Sequence, residues 1–136
     1  QRQMCIRDRN GLFAYEVKIK PGVDAKIAFP LTSSEIIYSP ALLEDQLVKI
    51  PLEQIKPRLH YLGLPNGLIG LKPGLWLIRD NRAGCVAVGI DLREKEIHFR
   101  VKKAGGKEFF FRFYILEGAE KEALKFANTL NQIFVE

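Results

Sequence analysis

Through a series of short segments up to residue 117, apolar side chains in this chain recur at every second position; beyond it they recur at helical spacing. Alternation with a period of two puts one set of side chains on one face of a strand, whereas a period near 3.6 lines one face of a helix. The chain is therefore expected to be mainly β with a C-terminal α-helix.

LFAYEVKIK, Leu12 to Lys20, places Phe13, Tyr15, Val17 and Ile19 on one face and ends at Pro21-Gly22. DAKIAFPL and SEIIYS supply the second and third strands. A turn or short helical piece after Pro40 leads into a strand from Leu47 to Ile50, which Pro51 stops because proline cannot donate to a ladder. LEQIK reads as one helical turn. Arg58 to Gly74, RLHYLGLPNGLIGLKPG, has no clean period and reads as a long ordered connection packed on the sheet, since a disordered linker would be more polar.

LWLIRD, NRAGCVAVGI, KEIHFRVK and KEFFFRFYI then follow as four strands, separated by turn signals at Asp80-Asn81, Asp91-Leu92-Arg93 and Ala104-Gly105-Gly106. Such short spacing predicts antiparallel neighbours, because a parallel pair needs a long crossover. In the last segment Ala119, Ala123, Phe126, Ala127, Leu130, Ile133 and Phe134 form an apolar stripe, and Glu117, Glu120 and Glu122 complement the dipole at the helix start.

At 136 residues the chain is read as one domain, 1–136, with 1–23 as an extra strand or N-terminal extension. A domain of this size buries about two thirds of its unfolded surface and needs neither metal nor disulfide. Cys5 and Cys85 are too few for a metal cluster and form no CxxC pair; Cys85 reads as a small buried hydrophobe, and a disulfide between the two stays open. No apolar run reaches the roughly 20 residues that span a bilayer.

The net charge of +5 is uneven. Lys and Arg outnumber Asp and Glu by six to three in residues 1–30 and by seven to three in 93–112, and the two signs balance at six each in 31–92. The second excess surrounds RVKKAGGKEFFFRFY, Arg100 to Tyr114, which reads as a hairpin. Ile97, Phe99 and Val101 on one strand and Phe109, Phe111, Phe113 and Ile115 on the next point inward beneath the helix. Glu96, His98, Arg100, Lys102, Glu108, Phe110, Arg112 and Tyr114 form a mixed-charge outer face, with opposite signs available for cross-strand pairing.

Three surfaces follow. Lys18, Lys20 and Lys26, with Arg100, Lys102, Lys103 and Lys107, would attract an anionic membrane surface if both basic turns lie close together. Phe110, Arg112 and Tyr114, beside Arg100, offer an alternative platform for single-stranded nucleic acid. Asp80 and Asp91 supply the carboxylates for a small hydrolase, although both also suit turns. His60 and His98 stand in no metal-binding spacing, no serine sits in a GxSxG elbow, and the glycines at 63, 67, 70 and 74 match no phosphate loop and precede a strand. No catalytic residue, metal or cofactor is expected.

The layout is similar to that of the bacterial pleckstrin-homology-like (PH-like) domains. The resemblance covers Asp24 to Phe134 and rests on IPLEQI at Ile50 to Ile55, on Gly70 and Gly74 before Leu75 to Ile78, and on AGGKEFFFRFYILEGAEKEALKFANTL at Ala104 to Leu130. It implies two antiparallel sheets in a partly open barrel capped by the final helix. It also implies a non-enzymatic adaptor or scaffold that binds a protein partner or an anionic membrane surface, in the cytoplasm or on the cytoplasmic face of a membrane.

Overall fold

The computed structural model describes residues 2–7, 12–20, 22, 24–39, 47–55, 59–62, 64, 67–80, 87–101 and 109–131, and of 2–7, 59–62, 87–88, 101 and 109–111 the backbone alone. In chain order the elements are β1 (Arg2–Arg7), β2 (Leu12–Ile19), β3 (Ala25–Pro30), β4 (Glu35–Tyr38), β5 (Val48–Pro51), a 3-10 turn (Leu52–Gln54), β6 (Leu59–Leu62), β7 (Leu68–Lys72), β8 (Leu75–Arg79), β9 (Ala87–Asp91), β10 (Glu96–Val101), β11 (Phe109–Glu117) and α1 (Glu120–Asn131). The protein is mostly β, with two antiparallel sheets and a C-terminal helix. A seven-stranded sheet runs β1-β2-β11-β8-β7-β4-β5, a four-stranded sheet runs β3-β10-β9-β6, and neither closes into a barrel.

Alternation turns Ile97, Phe99 and Phe113 inward as the sequence predicts, but what covers them is the facing sheet and not the helix, which corrects the expectation that they lie beneath it. Val17, Ile19, Leu77 and Phe113 of the larger sheet meet Ile90, Ile97 and Phe99 of the smaller one in the core between them. Three rings bridge the sheets at its centre: Phe113 stands 5.2 Å from Phe29 and 4.7 Å from Phe99, centroid to centroid. Phe99 and Phe113 are fully buried, each stabilising the fold by roughly 1.5–3 kcal/mol, and Phe29 is partly buried against them.

The helix lies on the other face of the larger sheet. Ala123, Leu124 and Ala127 pack with Ile37, Leu68, Trp76, Ile78 and Leu116 in a second core. Thus the inward face of β11 at Phe113 looks to the smaller sheet, while the face expected to meet water or a partner carries Tyr114 and Leu116 against α1. Both ends of the helix are pinned. Trp76 Nε1 donates to the Gly118 carbonyl at 3.0 Å, and Asn131 Nδ2 to the Arg79 carbonyl at 3.0 Å. The buried helix positions are Ala123, Leu124, Ala127 and Asn131; Phe126 and Leu130 flank them, Ala119 is exposed, and Ile133 and Phe134 lie outside the described residues.

Expectations about neighbours are corrected: of the four closely spaced strands only β9 and β10 pair in succession, since β8 lies in the other sheet between β7 and β11. Arg100 to Tyr114 is not a hairpin: β10 pairs with β3 and β9, β11 with β2 and β8, so the chain crosses from one sheet to the other between them. Arg58 to Gly74 is not a plain connection, because β6 and β7 lie within it and pair with β9 and β8. β2 runs between β1 and β11, which places the first strands in the body of the larger sheet.

Candidate anionic-surface site

Two crossings between the sheets leave the same end of the molecule. At the end of β2, Ile19 stands opposite Phe109, the first residue of β11. At the start of β3, Ala25 stands opposite Val101, the last residue of β10. The β2-to-β3 connection and the β10-to-β11 connection are therefore anchored on adjacent strands in both sheets. This relation, which sequence alone left open, brings the two basic segments to one end.

The seven predicted cations do not share one face. Val17 and Ile19 point into the core, so Lys18 between them projects from the outer face of the larger sheet, in register with Arg2 and Phe110. Lys26 and Arg100 stand opposite each other on the outer face of the smaller sheet and line, with Asp24 and Ala25, a cleft of about 410 Å³. Lys20 is exposed on the connection between the two, next to the Gly22 turn at φ +78°. Lys102, Lys103 and Lys107 lie outside the described residues, on the segment that joins Val101 to Phe109. Both lysine-bearing connections thus start from one rim, and Lys18 and Arg100 mark its two sides.

Lys26 is partly neutralised. Its Nζ reaches Glu96 at 3.0 Å, running along the outer face past Ala28. Cross-strand pairing of Glu96 was legible in the sequence, but its partner strand is β3, not β11.

The alternative aromatic platform is built into the fold. Arg112 donates to Glu16 Oε2 from Nε at 3.1 Å and from Nη2 at 2.8 Å, and its Nη1 lies 3.8 Å from Asp80, which is 1% exposed. Hydrogen bonding to Glu16 raises the guanidinium above its ordinary range. Tyr114 packs edge-on against Phe126 of α1, with centroids 5.2 Å apart. Both side chains proposed to grip a base therefore have partners within the fold. The Phe110 side chain lies outside the described residues.

The two carboxylates considered for hydrolysis sit on different sheets. Asp80 follows β8 beside Arg112, whereas Asp91 Oδ1 accepts the backbone N–H groups of Arg93 and Glu94 at 3.0 and 3.1 Å and closes the β9–β10 turn. Among the described residues no group of three His, Cys, Asp or Glu is placed to hold a metal, and no helix is long and apolar enough to cross a membrane. Cys85 and the side chains of Cys5 and His60 lie outside the described residues.

Two features escaped the sequence. At the end opposite the basic rim, an open groove of about 1000 Å³ runs over Leu31, Leu52 and Leu92, with Glu35, Glu53 and Lys95 at its edges. On the outer face of the smaller sheet His98 is buried at 7% exposure beside Gly89. Only the glycine at residue 89 could have hinted at the second, since a strand glycine often marks close approach of another group.

No protein-family model matches the chain, and no curated protein matches it.

Proposed function

We propose that this domain is a non-catalytic adaptor that docks on an anionic membrane surface through the end where its two basic connections cross between the sheets. The observation that carries this reading is the double register of Ile19 with Phe109 and Ala25 with Val101, which puts Lys20 and both anchors of the segment bearing Lys102, Lys103 and Lys107 at one end. Lysine suits the task because its ammonium is a flexible point charge that needs no fixed ligand geometry.

Each lysine near an anionic leaflet contributes about 1 kcal/mol, so four give about 4 kcal/mol, in the millimolar range. The domain alone is a weak, reversible anchor, as befits a module that works beside other contacts. The resemblance to bacterial PH-like domains implies an adaptor for a protein partner or an anionic membrane surface, and the placement of charge supports the second. Engagement of Arg112 by Glu16 and of Tyr114 by Phe126 weakens the nucleic-acid alternative.

The test compares phosphatidylglycerol vesicles, phosphatidylcholine vesicles and single-stranded oligothymidine at one ionic strength. The protein is expected to partition onto phosphatidylglycerol only and to be released by salt. Tighter binding to the oligonucleotide would reject the reading, and binding to none of the three would turn attention to a protein partner.

A further inference from the structure

His98 lies on β10 between Ile97 and Phe99, both fully buried on the opposite, inter-sheet face. Its own face is the outer one, yet it is 7% exposed. Across the sheet it stands between Ala28 on β3 and Gly89 on β9, and the row continues to Tyr61 on β6. The imidazole occupies the space that a side chain on residue 89 would need: Nε2 lies 2.5 Å, and Cδ2 3.1 Å, from where a Cβ would stand. Gly89 is its seat.

The ring's Nδ1 is buried without a hydrogen-bond partner among the described residues. The nearby carboxylates are already engaged, Glu96 by the Lys26 ammonium at 3.0 Å and Asp91 by the backbone N–H groups of Arg93 and Glu94. Among the described residues the charged groups that act on the ring are Lys26 on β3, Glu96 and Arg100 on its own strand, and Asp91 on β9. An imidazolium on this seat would be a desolvated cation beside two others, a costly arrangement unless a carboxylate is recruited.

We propose that His98 is an acid-sensitive switch: seated neutral on Gly89, it leaves that seat on protonation and draws Glu96 away from Lys26, freeing a cation beside the basic rim. The charge-releasing consequence rests on the membrane-docking reading; the switch itself does not. Burial, Lys26 and Arg100 push the imidazole below its ordinary value of 6.5, against Glu96 and Asp91. A histidine depressed in the folded state contributes its full stability above the unfolded value of 6.5, and that contribution is lost as pH falls below it.

The experiment follows the histidine rings and the Glu96 carboxyl by NMR in the full chain between pH 7.5 and 5, with His60→Gln to assign the two rings, and follows urea unfolding and phosphatidylglycerol-vesicle binding over the same range. His98 is expected to titrate below free histidine, with the Glu96 carboxyl resonance moving in step. Stability should fall with pH in the wild type and in His60→Gln, and much less in His98→Gln. Vesicle affinity should rise about fivefold with acid, the effect of one added cation, but not in His98→Gln or in Glu96→Gln, where Lys26 is already free. Coupled movement of His98 and Glu96 with unchanged vesicle affinity would support the switch and overturn its charge-releasing consequence, whereas no vesicle binding at either pH would overturn the docking reading alone. A Glu96 resonance indifferent to His98, or equal pH profiles of stability in the wild type and His98→Gln, would overturn the switch.

Discussion

The side-chain amide of Asn131 donates a hydrogen bond to the carbonyl oxygen of Arg79 at 3.0 Å, so the last described turn of α1 is tied to the end of β8. Asn131 is fully buried. A polar residue in that position makes sense only through such a bond, because an unpaired buried amide costs more than a buried bond contributes. Asn131→Ala is expected to lower the unfolding free energy by about 1–3 kcal/mol in urea denaturation. Unchanged stability would mean that the helix end is held by its apolar contacts alone.

Gly67 and Gly22 both adopt left-handed backbone, at φ +74° and +78°, but only Gly67 is crowded. A Cβ there would clash with the Arg79 carbonyl oxygen and come within 3.1 Å of the Arg79 nitrogen, whereas one on Gly22 would meet nothing within 4 Å among the described residues. Gly22→Ala should lose only the conformational cost, roughly 1–2 kcal/mol. Gly67→Ala should lose distinctly more, and a thermal-unfolding comparison in which the two variants match would contradict this placement of β7 against β8.

Tyr114 and Phe126 meet edge-on at 5.2 Å, where α1 covers β11. A double-mutant cycle with Tyr114→Ala and Phe126→Ala should return a coupling of about 0.5–1.5 kcal/mol. Additive losses would place the helix elsewhere and reopen Tyr114 as a binding surface.

Much of this architecture was legible because alternation reports side-chain direction. Ile97, Phe99 and Phe113 point inward as expected, and the change of period at residue 117 marks the only α-helix among the described residues. Alternation does not report which strand lies alongside. Residues 20–24 and 102–108 look like hairpin turns, yet each crosses between sheets that pack about 10 Å apart, a span such segments cover easily. The two-sided burial of Leu68 to Leu71 and Trp76 to Ile78 was available as near-continuous apolar runs, the pattern of strands covered on both faces. Pro73-Gly74 between them signalled the turn.

The candidate site was half legible for the same reason. Composition located both basic segments, and only register could bring them together. The neutralisation of Lys26 by Glu96 likewise depends on β3 being the neighbour of β10.

The sharpest measurement compares two fourfold charge reversals of equal net charge on phosphatidylglycerol vesicles. One changes Lys20, Lys102, Lys103 and Lys107 to Glu at the basic end; the other changes Lys49, Lys72, Lys121 and Lys125, which are exposed on other elements. Vesicle binding should vanish in the first variant and persist, weakened, in the second. Equal loss in both would show that net charge alone drives association and that the convergence of the two connections has no part in it.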